Sequence, residues 1–234
     1  MIYLNPKHIQ AALVLLVVWF EWRRGYFKGF SAYLKLFSIK PYIRSTAVIV
    51  AVTVFLLCLD PLLIRLVQGF QSPTSNWVVQ VGSFFGRKNW MVLLSVYLVL
   101  LIAQSRFGRK LVFSALLANV TASVLCTILK FTVLRARPLV GLGAYSFFNF
   151  DGFQKDAGLF QSFPSGDVAI VAGAVSYCFY AFRNRLLKVL IFLLPLATAF
   201  ARMSLNKHWP SDVFFSMGLG MISAQFVWQY QKNR

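Results

Sequence analysis

Six stretches of this 234-residue chain, at residues 46–66, 90–104, 112–134, 168–182, 187–201 and 213–230, are apolar over roughly the length a helix needs to cross a bilayer. Lipid offers no partner to a free N–H or C=O, so segments of this kind satisfy their backbone internally, as helices. Composition agrees: 59% of residues are hydrophobic, 13% are charged and the mean hydropathy is +0.67, which excludes an ordinary water-soluble domain. The expected fold is an all-α integral membrane protein, a six-span helical bundle over residues 46–234. An apolar and amphipathic segment, residues 1–45, precedes it. Residues 9–20 are short for a crossing, and Lys28 and Lys35 interrupt the aromatics and aliphatics of residues 25–37, a pattern that suits an interfacial or re-entrant segment. A secretory signal peptide fits worse, because the basic residues follow the apolar run and no small-residue cleavage site does.

The chain carries 24 Lys and Arg against six acids, a formal charge of +18. In a soluble protein that balance would point to nucleic acid. In a membrane protein it reflects basic cytoplasmic connections and anionic lipid, so the partner implied is the membrane and not nucleic acid. One set of connections, holding Arg23, Arg24, Lys40, Arg106, Arg109, Arg183 and Arg185 among others, is richer in Lys and Arg than the opposite set, which holds Arg87, Lys88, Lys130, Arg135, Arg137, Lys155, Arg202 and Lys207. The first set is placed on the cytoplasmic side, and the second faces outward. Cys58, Cys126 and Cys178 lie in apolar runs without a C-x-x-C pairing, so neither a disulfide framework nor a zinc site is indicated.

Three polar clusters fall on the outward side. Lys130 and Arg135-Ala136-Arg137-Pro138 close the third apolar stretch. Taken alone, Lys130 reads equally as a lysine snorkelling from a helix end. Phe163-Pro164-Ser165-Gly166-Asp167 opens the fourth stretch. It reads both as a helix cap and as an anion site, since free amides and the helix dipole point at whatever sits there. The third cluster, Arg202 to Asp212, sets His208 ahead of Pro210 and Asp212. An imidazole beside a carboxylate suits a nucleophile whose tautomer is fixed, and it is also what an interfacial histidine with an incidental cap would look like. His8 is an internal control, with Ala12 where the acid would stand and Ile2 where the arginine would stand. Converging on one side, the clusters supply Lys130, Arg137 and Arg202 as cations, the amides and hydroxyl near Ser165 and Gly166, and the pair His208 and Asp212. That is a phosphate site with a nucleophile. Asp60-Pro61 equally marks a helix end and takes no role. The aromatics of residues 139–162 suit a segment at the headgroup level.

The spacing resembles the type 2 phosphatidic acid phosphatase family, with signatures K-x6-R-P, P-S-G-H and S-R-x5-H-x3-D. Lys130 to Arg137-Pro138 fits the first, and Arg202, His208 and Asp212 fit the third with Ala201 in place of serine. The second departs, because Asp167 follows Pro164-Ser165-Gly166 where the family has histidine. The resemblance implies that His208 attacks phosphorus to form a phosphohistidine, that Asp212 orients it, and that Lys130, Arg137, Arg202, Ser165 and Gly166 hold the phosphoryl oxygens. It implies no metal and no cofactor. The family's histidine protonates the leaving oxygen, so Asp167 stands in that role. The alternatives to donation by Asp167 are a leaving group that needs no proton, or donation by water or Lys207. Acidic residues after the glycine also occur in lipid A phosphatases of this superfamily.

The function expected is metal-independent hydrolysis of a phosphate from a membrane lipid, such as lipid A, an isoprenyl diphosphate or a phosphatidyl phosphate, in a bacterial inner membrane with the site facing the periplasm. A lipid phosphotransferase and a non-catalytic lipid-phosphate-binding relative are the alternatives. A transporter fits less well, because the polar groups gather at one face.

Overall fold

The computed structural model describes residues 6–36, 38–70 and 73–232. Among these residues every regular element is helical: α1 (Pro6–Arg23), α2 (Phe30–Leu36), α3 (Lys40–Gly69), α4 (Pro73–Ile102), α5 (Arg106–Val133), α6 (Phe150–Lys155), α7 (Gly166–Ala181), α8 (Arg185–Ser204) and α9 (Pro210–Lys232), with one 3-10 turn at Pro138–Val140. Each of the six apolar stretches falls mainly on a helix of its own. Among the described residues, by length and apolarity alone, three segments could cross a membrane: Lys40–Gly69, Arg106–Val140 and Arg185–Ser204. The bent pair within α4 makes a fourth, while α7 is a shorter apolar helix of 16 residues.

Two compact units divide the chain. The first comprises residues 1–38 and 230–234. Residues 9–20 lie within the 18-residue α1, whose Leu15, Leu16, Trp19 and Trp22 are exposed, as lipid-facing side chains would be. Residues 25–37 are not one element: a turn over residues 24–29 precedes α2, and Tyr26, Phe30 and Tyr33 pack their rings on Tyr230.

The second unit, residues 39–229, holds everything discussed below. In it α5 packs on α7 and α4, and α8 packs on α4, α7 and α3. The packing is close because the facing residues are small: Ala115, Ala118 and Ala122 on α5, Ala169 and Ala172 on α7, and Ala224 on α9 are all buried. Without a hydrophobic driving force between helices in lipid, small residues let backbones gain dispersion contacts. A Cβ on Gly220 would stand 2.6 Å from the backbone N of Gly173 and 2.7 Å from the carbonyl of Ala169, whereas the atoms nearest to one on Gly218 belong to the Ile49 side chain. We expect Gly220→Ala to lower stability by about 1–3 kcal/mol, because no rotamer change relieves a clash with backbone, and Gly218→Ala to cost less. Thermal melts of the two variants in one detergent check the order.

Two helices run differently from the sequence expectation. Hydropathy places a span at residues 90–104 and a connection at Arg87 and Lys88, but α4 begins at Pro73 and bends by 61° between Asn76–Asn89 and Met91–Ile102. Gln80, Ser83, Arg87, Lys88 and Asn89 dilute the apolarity of its first half. The helix persists because Gly82 brings it onto the α8 backbone at Ala197 and Thr198, and Gly86 brings it against the side chains of Thr198 and Arg202. Likewise α3 continues through Pro61 to Gly69, so Asp60 lies inside a helix and not at its end.

Candidate active site

The ends of α5 and α8 and the starts of α7 and α9 bring the three clusters together. Lys130, in the last turn of α5, donates from Nζ to the Gln161 carbonyl at 2.9 Å, and its Cε would lie 3.7 Å from a Cβ on Gly166. The α5 backbone ends at Leu134 in a left-handed conformation (φ 44°). The chain then runs through Arg137, whose N–H donates to the Leu159 carbonyl and whose Nε is buried without a partner. Arg202, in the last turn of α8 and 3% exposed, sets its Nε 2.9 Å from Asp167 Oδ2, and its Nη2 has no hydrogen-bond partner. Gly86 makes room for this pair, because a Cβ there would stand 3.1 Å from Asp167 Cβ and 3.2 Å from Arg202 Nη2.

Ser165 occupies the N-cap position of α7 but forms no cap bond, and its buried hydroxyl has no partner. Buried polar groups are almost always paired. Unpartnered donors on Ser165, Arg137 and Arg202 that converge at a helix N-terminus form a cradle suited to a tetrahedral oxyanion.

His208 is 4% exposed. Its Nδ1 lies 2.6 Å from the Ser162 carbonyl and 3.8 Å from Asp212 Oδ2. The shorter contact is the hydrogen bond, and at 3.8 Å Asp212 is an electrostatic neighbour. A carbonyl only accepts, so Nδ1 carries the proton and a neutral ring presents its lone pair at Nε2. Burial pushes His208 below the usual imidazole range and the Lys130 and Arg137 charges push the same way, while the Asp212 carboxylate opposes them. The folded value thus lies below the ordinary one near about 6.5, so the neutral, nucleophilic form survives as pH falls through that value. We expect kcat/KM to hold at pH 6.5, with its acid limb lower; a limb centred at or above pH 7 would contradict this. Lys207 is also held below its ordinary range, by partial burial and then by Arg202, Arg137 and Arg87.

Asp212 is fully buried and saturated. Oδ1 accepts from Arg135 Nη1 at 2.5 Å, and Oδ2 accepts from the Ser162 hydroxyl at 2.5 Å and from Trp209 N at 2.9 Å. Arg135, 0% exposed, also reaches Asp60 Oδ2 at 2.6 Å, Ser211 Oγ at 2.8 Å and the Ala144 carbonyl, and it lies over the rings of Phe147 and Trp209. Sequence reasoning missed Arg135, Asp60, Ser162 and Ser211. The available signal was an acid within an apolar stretch, which is costly there unless it serves a site. Of the aromatics in residues 139–162, Tyr145, Phe148 and Phe150 are exposed as expected at a headgroup level, whereas Phe147 turns onto Arg135 and Phe160 is buried. Among the described residues no group of three His, Cys, Asp or Glu could hold a metal ion.

A family model described as the PAP2 superfamily matches residues 107–234, more than half of the chain. The chain belongs to the PAP2 superfamily. The resemblance drawn from the three signatures is therefore correct, and membership of this PAP2 chain supports a lipid phosphatase activity in general terms. The crystal structure of Aquifex aeolicus LpxE is similar over 74% of this PAP2 chain and 96% of its own, with 23% identity and a TM-score of 0.56, which is a likeness of fold. None of the curated proteins compared matches the chain. The family match leaves out α3 and α4, and so excludes Asp60 and Gly86.

Proposed function

We propose that this PAP2 protein hydrolyses a phosphate from a membrane lipid through a phosphohistidine on His208, without a metal. The observation that carries the reading is the set of unpartnered donors on Ser165, Arg137 and Arg202 gathered beside a histidine whose Nε2 is free. Nε2 attacks phosphorus, the bond to the leaving oxygen breaks, and that oxygen departs with a proton from solvent or Lys207, or unprotonated if it belongs to a phosphate. Water then attacks the phosphoryl group, Nε2 leaves with the electron pair of the P–N bond, and inorganic phosphate is freed. Lys130, Arg137 and Arg202 neutralise the charge that builds on the equatorial oxygens. Asp167 serves as counter-ion to Arg202, and this pairing favours Lys207 or solvent over Asp167 as the proton source.

A cavity of about 640 Å³ beside the site supports a lipid substrate: Val79, Phe84 and Leu205 give it apolar walls, and Arg87 and Lys88 give it cations. The distribution of Lys and Arg supports a site on the outward side of the membrane, which in a bacterial inner membrane is the periplasmic side.

Phosphate release by the purified protein from lipid A, an isoprenyl diphosphate, phosphatidylglycerol phosphate and phosphatidic acid, with and without EDTA, tests the reading. Release from at least one lipid, unaffected by EDTA, is expected. Labelled phosphate that moves onto a second lipid would make the protein a phosphotransferase, and binding without release from any lipid would make it non-catalytic. In the same assay Asp167→Asn should keep release from phosphatidic acid, whose leaving oxygen needs a proton, within about tenfold, since a general acid contributes about 10²–10⁴. A larger loss would return the acid role to Asp167.

A further inference from the structure

The mechanism above leaves the most deeply buried polar cluster of the molecule without a task. We infer that Asp60, Arg135 and Ser162 are positioning residues: they form a buried chain from α3 to His208 that fixes the tautomer and ring plane of the nucleophile. The kinetic part rests on the proposed phosphatase reading, and the tautomer part does not.

Among the described residues His208 Nδ1 donates one hydrogen bond, to the Ser162 carbonyl, so the ring is as well placed as that carbonyl. Ser162 is in turn tied at two points. Its N–H donates to the Arg135 carbonyl at 2.9 Å, and its hydroxyl donates to Asp212 Oδ2. Arg135 therefore touches Ser162 through its backbone and Asp212 through its guanidinium. All of its N–H donors are engaged, by Ala144, Ser211, Asp212 and Asp60, which leaves it one orientation. Asp60 anchors the far end, accepting from Arg135 Nη2, from Ser211 Oγ at 2.5 Å and from Ser211 N at 2.8 Å.

Two features separate this chain from a simple brace. It ends on the ring nitrogen that decides which lone pair faces phosphorus. It also fixes the Asp212 carboxylate 3.8 Å from the imidazole, where positive charge builds as Nε2 attacks. Every group that reaches Asp60 is a donor, so an amide there must turn its NH₂ onto another donor, and Asp60→Asn disturbs the anchor at almost unchanged volume.

The test uses ¹⁵N-histidine-labelled full-length protein in detergent. The chain has two histidines, so a His8→Gln background leaves the His208 imidazole alone in the spectrum. We expect one Nδ1-protonated tautomer in that background. In Asp60→Asn and in Ser162→Ala we expect an added Nε2-protonated population, with kcat lower by about ten- to a hundredfold and KM changed by less than about threefold. A single Nδ1–H tautomer in both variants, or full kcat despite a mixed tautomer, overturns the proposal. A fall in melting temperature with an unchanged His208 spectrum overturns it too and leaves a brace. Ser162→Ala removes a single oxygen and decides the matter if Asp60→Asn does not fold. If the parent protein releases no phosphate from any lipid, the phosphatase reading fails and the spectra still decide the positioning claim.

Discussion

His208→Ala should reduce phosphate release by at least about 10⁴-fold, because removing a nucleophile abolishes the covalent route and leaves only what binding and charge neutralisation provide. The variant should still bind the lipid, since Lys130, Arg137, Arg202 and Ser165 remain. It should also fold: His208 makes one hydrogen bond to a carbonyl, and Asp212 keeps its other partners on Arg135, Ser162 and Trp209. His8→Ala should not affect turnover. The comparison is to be made as kcat and KM on the best lipid of the panel, and a loss below about tenfold would remove His208 from the chemistry.

Substituting Arg202 should have the next largest effect. It is 3% exposed, its Nη2 is unpartnered, and it is the cation that Asp167 and Gly86 hold in place. A preorganised donor aimed at an oxyanion is worth about 10²–10³ in kcat, so Arg202→Met should lose at least that much. Arg202→Lys should recover only a small part, because an ammonium keeps the charge but cannot bond Asp167 and a phosphoryl oxygen with the same planar fork. If the lysine variant matches the wild type, bulk charge and not fork geometry is what the site requires.

Hydropathy reads apolarity over a window, and it located α3, α5 and α8 because those helices are apolar along their length. It truncated α4 because Gln80, Ser83, Arg87, Lys88 and Asn89 lower the apolarity of its first half, which Gly82 nonetheless packs on the α8 backbone, a contact between segments distant in sequence. Lys130, Arg137, Arg202, His208 and Asp212 could be picked out because their spacing is fixed within short segments, and their placement on one side follows from counting helices. Asp60 could not be assigned, since its partners Arg135 and Ser211 are 75 and 151 residues away in sequence. Arg135 was hidden for a different reason: beside Arg137 it reads as one more loop cation, whereas its side chain turns inward to Asp60 and Asp212. Ser162 acts on His208 through its backbone carbonyl, which no residue type announces.

During turnover His208 should become covalently phosphorylated within its pocket of fixed cations. Rapid acid-free quenching of the protein with a ³²P-labelled lipid substrate, followed by peptide mass spectrometry, checks this. An acid-labile, base-stable phosphoryl group is expected on His208, forming faster than free phosphate appears and absent from His208→Ala. Steady phosphate release with no label on His208 at any time would contradict it.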